Sequence, residues 1–553
     1  MIVARAVGLA LARAAAGVDH VFGVVGSGNF HLTNALREGG ARFVAARHEG
    51  GAATMADAYA RMSGRVTALS VHQGCGLTNA MTGIAEAAKS RSPLLVLAAE
   101  ATNRASNFYV DQDALARAVG AIPARITSAE TAVGEALTAA TTALYERRTV
   151  LLNLPLDIQS LEVAGDSPPV DLPGVPVPRP PTEADLTRLV QALTQAKRPV
   201  FVAGRGARDR RSAEAVADLA GRCGALLATS AVAKGLFRDN PWSLDVSGGF
   251  SSPTTADLVR GADLIVGWGC ALNMWTMRHG RLIGEGAVVV QVDDTPAALG
   301  AQCKLTFGVL GDVAETALTA RAAFGESAPV DDGASGYRSA ETRQRIATSA
   351  RWRDVPYVDN SGGGFIDPRT LSLRLDDLLP VERVIGVDSG NFMGYPSMFL
   401  SVPDEQGFCF TQAFQSIGLG LATAIGAALA RPDRLPVAAL GDGGALMAAA
   451  ELDTVARLGL PMVVIVYNDD AYAAEVHHFG PSGFPLDTVQ FPSTDVAAIA
   501  RGHGFTAVTV TEEGDLAPVA RWLAGDRRSP LLIDAKVTRT EPSWWLEEAF
   551  RGH

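Results

Sequence analysis

The sequence predicts three doubly wound α/β domains, each built on a parallel sheet. Three observations lead to that expectation. Short, wholly apolar runs of about 4–6 residues alternate with Ala/Leu/Glu/Arg-rich segments of roughly 12–18 residues, the length range of globular helices. Strands that are apolar throughout, rather than alternating, are covered on both faces, which is the mark of a parallel sheet. The alternation recurs in three blocks, set apart by a Pro-rich connector at 165–181 and a second connector at 327–368. At roughly 100–200 residues per domain, 553 residues hold several cores.

The elements follow in order. Residues 1–17, MIVARAVGLALARAAAG, superficially resemble a signal peptide, but Arg13 interrupts the apolar run. The segment flows directly into Val18-Asp19-His20-Val21-Phe22-Gly23-Val24-Val25, so it reads as a first helix feeding a first strand. Further strands are expected at 67–71, 93–98 and 149–154 in the first block, and at 199–203, 264–267 and 287–290 in the second. The third block has them at 384–387, 437–440 and 462–467. The domains are accordingly placed at 1–164, 182–326 and 366–553, with a stretch of helix inside the second connector at 340–352.

Composition excludes several classes. Hydrophobic residues make up 48% and charged residues 19%, too apolar for a disordered chain. The formal net charge is −11 with no basic block, which argues against nucleic-acid binding. No run reaches about 18 apolar residues, so no membrane span is expected. The five cysteines, Cys75, Cys223, Cys270, Cys303 and Cys409, form no CxxC and no zinc spacing. They suit a reducing, cytoplasmic setting.

Open parallel sheets bind ligands beyond the carboxyl ends of their strands, and the chemistry-bearing motifs lie there. Leu440-Gly441-Asp442-Gly443-Gly444 follows a strand and opens a helix expected at 445–458. Glycines at such a turn let backbone N–H groups approach a diphosphate, and a helix N-terminus favours its charge. Tyr467-Asn468-Asp469-Asp470-Ala471 ends the next strand. Asp442 and Asp469, 27 residues apart at the ends of successive strands, can share one Mg²⁺ with phosphate oxygens. Upstream, Arg47-His48-Glu49-Gly50-Gly51 puts a carboxylate between a strand and a Gly-rich helix start. Alone, Glu49 reads as no more than a helix N-terminal charge.

Together, RHEGGAATMADAYAR, the GDG and ND pair, the opening GVDHVFGVVG and the three-block layout resemble the thiamine-diphosphate-dependent 2-oxo-acid enzymes: the acetolactate synthase, benzoylformate decarboxylase and pyruvate decarboxylase superfamily. The resemblance spans the whole chain. It implies a pyrimidine-binding N-terminal domain, a transhydrogenase-like central domain and a diphosphate-binding C-terminal domain. It also implies active sites shared between two chains, hence a homodimer at minimum and a homotetramer as the expected assembly. Carried over, Glu49 bonds N1′ of the aminopyrimidine. Asp442, Asp469 and the Ala471 carbonyl hold Mg²⁺, and Gly441, Gly443, Gly444 and Asn391 line the diphosphate. Ile417 becomes the wedge that bends the cofactor, and the Gln415 carbonyl faces N4′. One departure stands out: the family usually has Asn-Asn where this chain has Asn468-Asp469. Aspartate is still a hard oxygen ligand, so the metal site survives with added charge.

The reaction type is read from residues around the reacting carbon. His72, in Val71-His72-Gln73-Gly74-Cys75-Gly76, stands where benzoylformate decarboxylases carry an active-site His and acetolactate synthases do not. Glu475 aligns with a catalytic Glu of pyruvate-decarboxylase-like enzymes, where shielding from water would raise its pKa. One of the adjacent His477 and His478 is expected to face the pocket. Gln112 matches a substrate-touching Gln of acetolactate synthases. The expected activity is acetolactate-synthase-like: decarboxylation of a 2-oxo acid to an enamine, then carboligation. The alternatives are simple 2-oxo-acid decarboxylation, with His72 and Glu475 delivering a proton, and cleavage of a 2-hydroxyacyl-CoA. A catalytically silent paralogue is disfavoured by the retained Glu49. The Gly204-Arg205-Gly206 turn is a weak nucleotide signal, with FAD or ADP on the central domain as the alternative to an ordinary strand-to-helix turn. The terminal Trp544-Trp545 segment is either a lid over the active site or a docked helix.

Overall fold

The apolar runs become strands in all three blocks of the computed structural model, which describes residues 1–14, 17–163, 174–324 and 334–549. Most of the Pro-rich connector and part of the second lie outside the described residues. The helix Val3–Arg13 buries Val3, Val7 and Leu11 in the first core, so the N-terminal segment is structural. The first sheet comprises β1 (His20–Gly23), β2 (Arg42–Ala45), β3 (Thr67–Val71), β4 (Leu94–Glu100), β5 (Ile122–Arg125) and β6 (Val150–Pro155). The second comprises β7 (Pro199–Ala203), β8 (Leu226–Thr229), β9 (Ser243–Val246), β10 (Leu264–Trp268), β11 (Val288–Asp293) and β12 (Phe307–Leu310). A small antiparallel hairpin, β13 (Ala334–Ser335) and β14 (Arg338–Ser339), precedes the third sheet. That sheet holds β15 (Arg383–Val387), β16 (Phe408–Phe410), β17 (Leu435–Gly441), β18 (Val463–Asn468), β19 (Thr506–Val510) and β20 (Leu531–Lys536).

Every pairing within the three large sheets is parallel. The first and third sheets share one strand order, β2-β1-β3-β4-β6-β5 and β16-β15-β17-β18-β20-β19. The central order is β12-β11-β10-β7-β8-β9. The topological switch points therefore fall between β1 and β3, β7 and β10, and β15 and β17. The crevice at such a point is where an open α/β sheet binds its ligand. Strands β3 and β4 are buried at every residue, as wholly apolar runs require.

The first and third domains meet helix to helix. Glu49–Ser63 packs on Gly420–Ala430, and Met55, Ala52 and Ala56 share a core with Leu421, Ala424 and Ile425. A side chain at Gly426 would lie 2.2 Å from the Met55 carbonyl, so glycine sets the approach of the two backbones.

Two expectations need correction. The helix expected at 445–458 is two short helices, Asp442–Met447 and Glu451–Arg457. The break turns the second helix so that Glu451 reaches the backbone of Arg47 and His48. The second connector is also less of a linker than its composition implied. Its helix, Ala340–Ser349, buries Ile346 in the central core. Ser349 accepts from Ser252 and Thr254 at its C-terminal end.

Candidate functional site

In the first domain the loops after β1, β2 and β3 converge. Asn29 pins the Gly26-Ser27-Gly28 turn, accepting from Gly26 N–H (2.8 Å) and donating to the Val24 carbonyl (3.2 Å). His72, just past β3, packs on this turn so closely that a side chain at Gly26 would lie 2.3 Å from its ring. His72 Nδ1 lies 3.0 Å from the Gln73 carbonyl and Nε2 lies 3.3 Å from Ser27 Oγ. A carbonyl can only accept, so Nδ1 is the donor in that contact, and Nε2 is the nitrogen that faces the Ser27 hydroxyl. The ring of Phe108 stands edge-on to His72 at 5.2 Å.

Glu49 is the first residue of its helix, and its Oε2 accepts from Asn79 Nδ2 at 3.1 Å. A side chain placed on Gly76 would lie 3.0 Å from His72 Cβ and 3.5 Å from Glu49 Oε1. Glu49 and His72 thus flank Gly76, and a side chain at that position would crowd both.

In the third domain the ends of β15, β17 and β18 converge. Asp442 and Asp469 are buried beside each other. Burial pushes Asp442 up to about 6, and burial with repulsion from Asp442 pushes Asp469 well above the carboxylate range. The Asn468 side chain is spent on Asp534 (2.8 Å) and on the Asp470 N–H (3.2 Å). Ala471 bridges Gln490 in a register whose hydrogen bonds are carried by Tyr472 N–H and Phe491 N–H, leaving its carbonyl outside that ladder. No group of three or more His, Cys, Asp or Glu side chains converges among the described residues. A cation here would take two carboxylates and complete its shell with carbonyl and ligand oxygens. Hard oxygen donors in repelling, buried carboxylates fit a divalent cation.

The glycine turn is tightly enclosed. Side chains at Gly443 and Gly444 would lie 2.5 Å from the Tyr472 ring and 2.0 Å from Asp388 Oδ2. One at Gly441 would lie 3.0 Å from the Phe392 ring. Asp388, fully buried at the end of β15, accepts from the N–H groups of Ser389 (2.8 Å), Gly418 (3.0 Å) and Leu419 (3.2 Å). It thereby ties the Gln415–Ile417 turn to the sheet. Gln415 is left-handed, with φ +60, and exposed, while Ile417 is half-buried.

The remaining candidates divide. Glu475, His477 and His478 share the half-buried helix Ala473–Phe479, which starts beside Tyr472 and so adjoins the glycine turn. His477 Nε2 is buried with no partner among the described residues, and burial lowers the pKa of that imidazole. Gln112 is buried, and its amide donates to Asn153 at 2.7 Å. Asn391 Oδ1 accepts from Ser543 N–H (2.9 Å), and its carbonyl accepts from Trp545 Nε1 (3.0 Å). The terminal segment is therefore docked, with Trp545 also edge-on to Phe250 and Trp275. Gly204 and Gly206 are spent on contact with Gly269, where added side chains would lie 2.4 Å and 2.8 Å away. Arg205 reaches the Ser90 carbonyl of the first domain. The turn thus has a packing function of its own, and the FAD or ADP alternative gains no support from it. It borders a cavity of about 410 Å³ lined also by Arg61, Arg91, Arg147, Asp293 and Asp294.

Sequence reading missed Asp388 and Glu451. Asp388 was legible as the head of a Ser-Gly-Asn run at a strand end. Glu451 carried no signal beyond that of a helix charge.

Three family models match this architecture in order. They are the N-terminal TPP binding domain of thiamine pyrophosphate enzymes at residues 3–118, the central domain at 186–320 and the C-terminal TPP binding domain at 388–535. Among curated proteins, the chain is 31% identical to a probable 2-ketoarginine decarboxylase of Pseudomonas aeruginosa, covering 82% of this chain and 80% of that one. It is 27% identical to an acetolactate synthase large subunit of Parasynechococcus marenigrum, covering 95% and 86%. It is 26% identical to a sulfoacetaldehyde acetyltransferase of Alcaligenes xylosoxydans, covering 91% and 87%.

Proposed function

The chain belongs to the thiamine pyrophosphate enzymes, and from that premise we propose a thiamine-diphosphate- and Mg²⁺-dependent enzyme that acts on a 2-oxo acid by acetolactate-synthase-like carboligation. The observation that carries the proposal is a pair of candidate half-sites, each at the carboxyl ends of one outer sheet's strands. Glu49 and His72 flank Gly76 in the first domain, and two buried carboxylates stand beside a glycine turn in the third. When bound, thiamine diphosphate supplies a nucleophilic carbon and a sink for the electron pair released with CO₂. In this reading Glu49 holds a proton at the aminopyrimidine ring. Asp442, Asp469 and the Ala471 carbonyl hold Mg²⁺. Gly441, Gly443, Gly444 and Asn391 line the diphosphate, and Gln415 and Ile417 face the cofactor. His72 exchanges a proton with substrate through Nε2, and Glu475 acts from the other half. The domain limits 1–164, 182–326 and 366–553, a cytoplasmic setting and a homodimeric or homotetrameric assembly belong to the same proposal.

A second reading, non-oxidative decarboxylation, is favoured by His72 itself, an imidazole suited to protonating product near neutral pH. The 2-hydroxyacyl-CoA lyase reading would be marked by stabilisation with CoA.

Calorimetry and thermal unfolding with thiamine diphosphate and Mg²⁺ test the proposal. Ligand binding to the native state raises Tm by mass action, by about 2.7 kcal/mol of stability at 100 times Kd. Asp469→Asn should lose the Mg²⁺-dependent part. Glu49→Gln should still bind and should turn over roughly 100-fold slower or worse. No stabilisation of wild type at millimolar cofactor would overturn the assignment. With pyruvate as test substrate, acetolactate supports carboligation and acetaldehyde supports the second reading.

A further inference from the structure

A carboxylate outside the half-sites grips the turn that carries Gln415 and Ile417. Glu86, on the helix Cys75–Lys89 of the first domain, is fully buried. Its Oε1 accepts from Ala413 N–H at 3.0 Å and its Oε2 from Phe414 N–H at 2.6 Å. Arg61 Nη2 lies 2.7 Å from Oε1, and Ser90 Oγ donates to the same oxygen at 3.2 Å. Arg61 also pairs with Asp57 (2.6 Å) and donates to the Phe410 carbonyl at 2.8 Å, just upstream of the turn. Lys89 Nζ stands 5.5 Å over the Phe414 ring.

The clamp lies immediately before Gln415, whose φ of +60 disfavours any residue with a side chain. Asp388 holds the other end, at Gly418 and Leu419. The turn is thus stretched between two buried carboxylates, one from each domain. Here each of two consecutive peptide N–H groups has its own acceptor oxygen. A carboxylate offers both, whereas an amide would aim its own NH₂ at one of them.

We propose that Glu86 is a positioning residue of the candidate site: by gripping the Ala413–Phe414 amides it fixes the left-handed Gln415 and the placement of Ile417. What the turn faces rests on the reading under Proposed function, whereas the clamp itself does not. Asp57 and Arg61 ride on the helix that Glu49 begins, so one ion-paired frame joins the Glu49 helix to the turn that carries Ile417.

The test compares wild type, Glu86→Gln and Glu86→Asp, all full-length, by residue-resolved hydrogen exchange and by thiamine diphosphate titration with Mg²⁺. In wild type the Ala413 and Phe414 amides should be protected although both residues are exposed. Glu86→Gln should speed their exchange about tenfold or more, as loss of a charge-assisted bond does. Amides of β7–β12 should stay unchanged, and Kd for the cofactor should rise by a similar, roughly tenfold, factor. Glu86→Asp should recover part of both. Faster exchange throughout the first and third domains, with an unchanged Kd, would reduce Glu86 to a general core contact and overturn the proposal. Unprotected Ala413 and Phe414 amides in wild type would overturn it even if Glu86→Gln failed to fold. If wild type binds no cofactor, the functional reading fails, while the exchange data still decide the clamp.

Discussion

Asp388 shows how burial can outweigh hydrogen bonding at a single residue. Burial raises its pKa from 3.8 to about 6, although backbone N–H groups, those of Ser389, Gly418 and Leu419 among them, favour the charged form. A carboxyl whose folded pKa is raised costs stability once it ionises. The cost is absent below about 4, grows as pH rises to about 6, and is complete above. Its size is on the order of 3 kcal/mol. Asp388→Asn cannot titrate, so the stability difference between wild type and variant should change over that window and stay flat outside it. Unfolding midpoints of both proteins from pH 4 to 8 check this; a constant difference would refute it. Gly444 is constrained by the same side chain. Gly444→Ala puts a methyl 2.0 Å from Asp388 Oδ2, so either the carboxylate or the turn must move. We expect a loss of about 1–3 kcal/mol in denaturant unfolding, as for overpacked cores, together with weaker cofactor binding. Gly459→Ala, at an open position with φ +62, should cost stability without touching cofactor affinity.

The elements gather a one-dimensional pattern into two clusters of candidate residues. Strands β1 and β3 bring Ser27, Glu49 and His72 together because the chain runs out to β2 and returns on the other side of β1. Strands β15, β17 and β18 repeat the device for Asp388, Asp442 and Asp469. Shared strand order is the physical reason that two dissimilar sequences present ligand loops at equivalent places. The broken helix after Gly444 is the instructive miss. Its apolar and charged spacing reads as continuous helix. The break accompanies a contact some 400 residues away, Glu451 with Arg47 and His48, of which the local spacing holds no trace.

That contact matters for the whole molecule. Buried Glu451 Oε1 accepts from Arg47 N–H and His48 N–H, both at 3.0 Å, while Asp453 pairs with Arg47 at 2.6 Å. The turn that presents Glu49 is therefore held by the third domain of the same chain. Glu451→Ala should leave two peptide donors unpaired at an interdomain seam and cost about 2–4 kcal/mol. It should also loosen exchange protection at 46–50 while sparing β7–β12. Denaturant unfolding with hydrogen exchange reads both effects. Uniform loosening would contradict a local clasp.

What the sequence determined by itself was the class of every domain and where its candidate half-sites should be sought. Apolar run length, glycine at strand ends and carboxylates after them are local properties, written within a few residues of where they act. Only the tertiary structure decided which of those residues cooperate. It set Glu49 beside His72 across Gly76, turned Gln112 inward to Asn153, spent Gly204 and Gly206 on Gly269, and docked Trp545 against Asn391. It also raised Glu86 and Glu451 from anonymous charges to the groups that hold the turns. The reason is physical: burial and hydrogen-bond partners at long sequence separation carry no periodicity, so no spacing along the chain announces them.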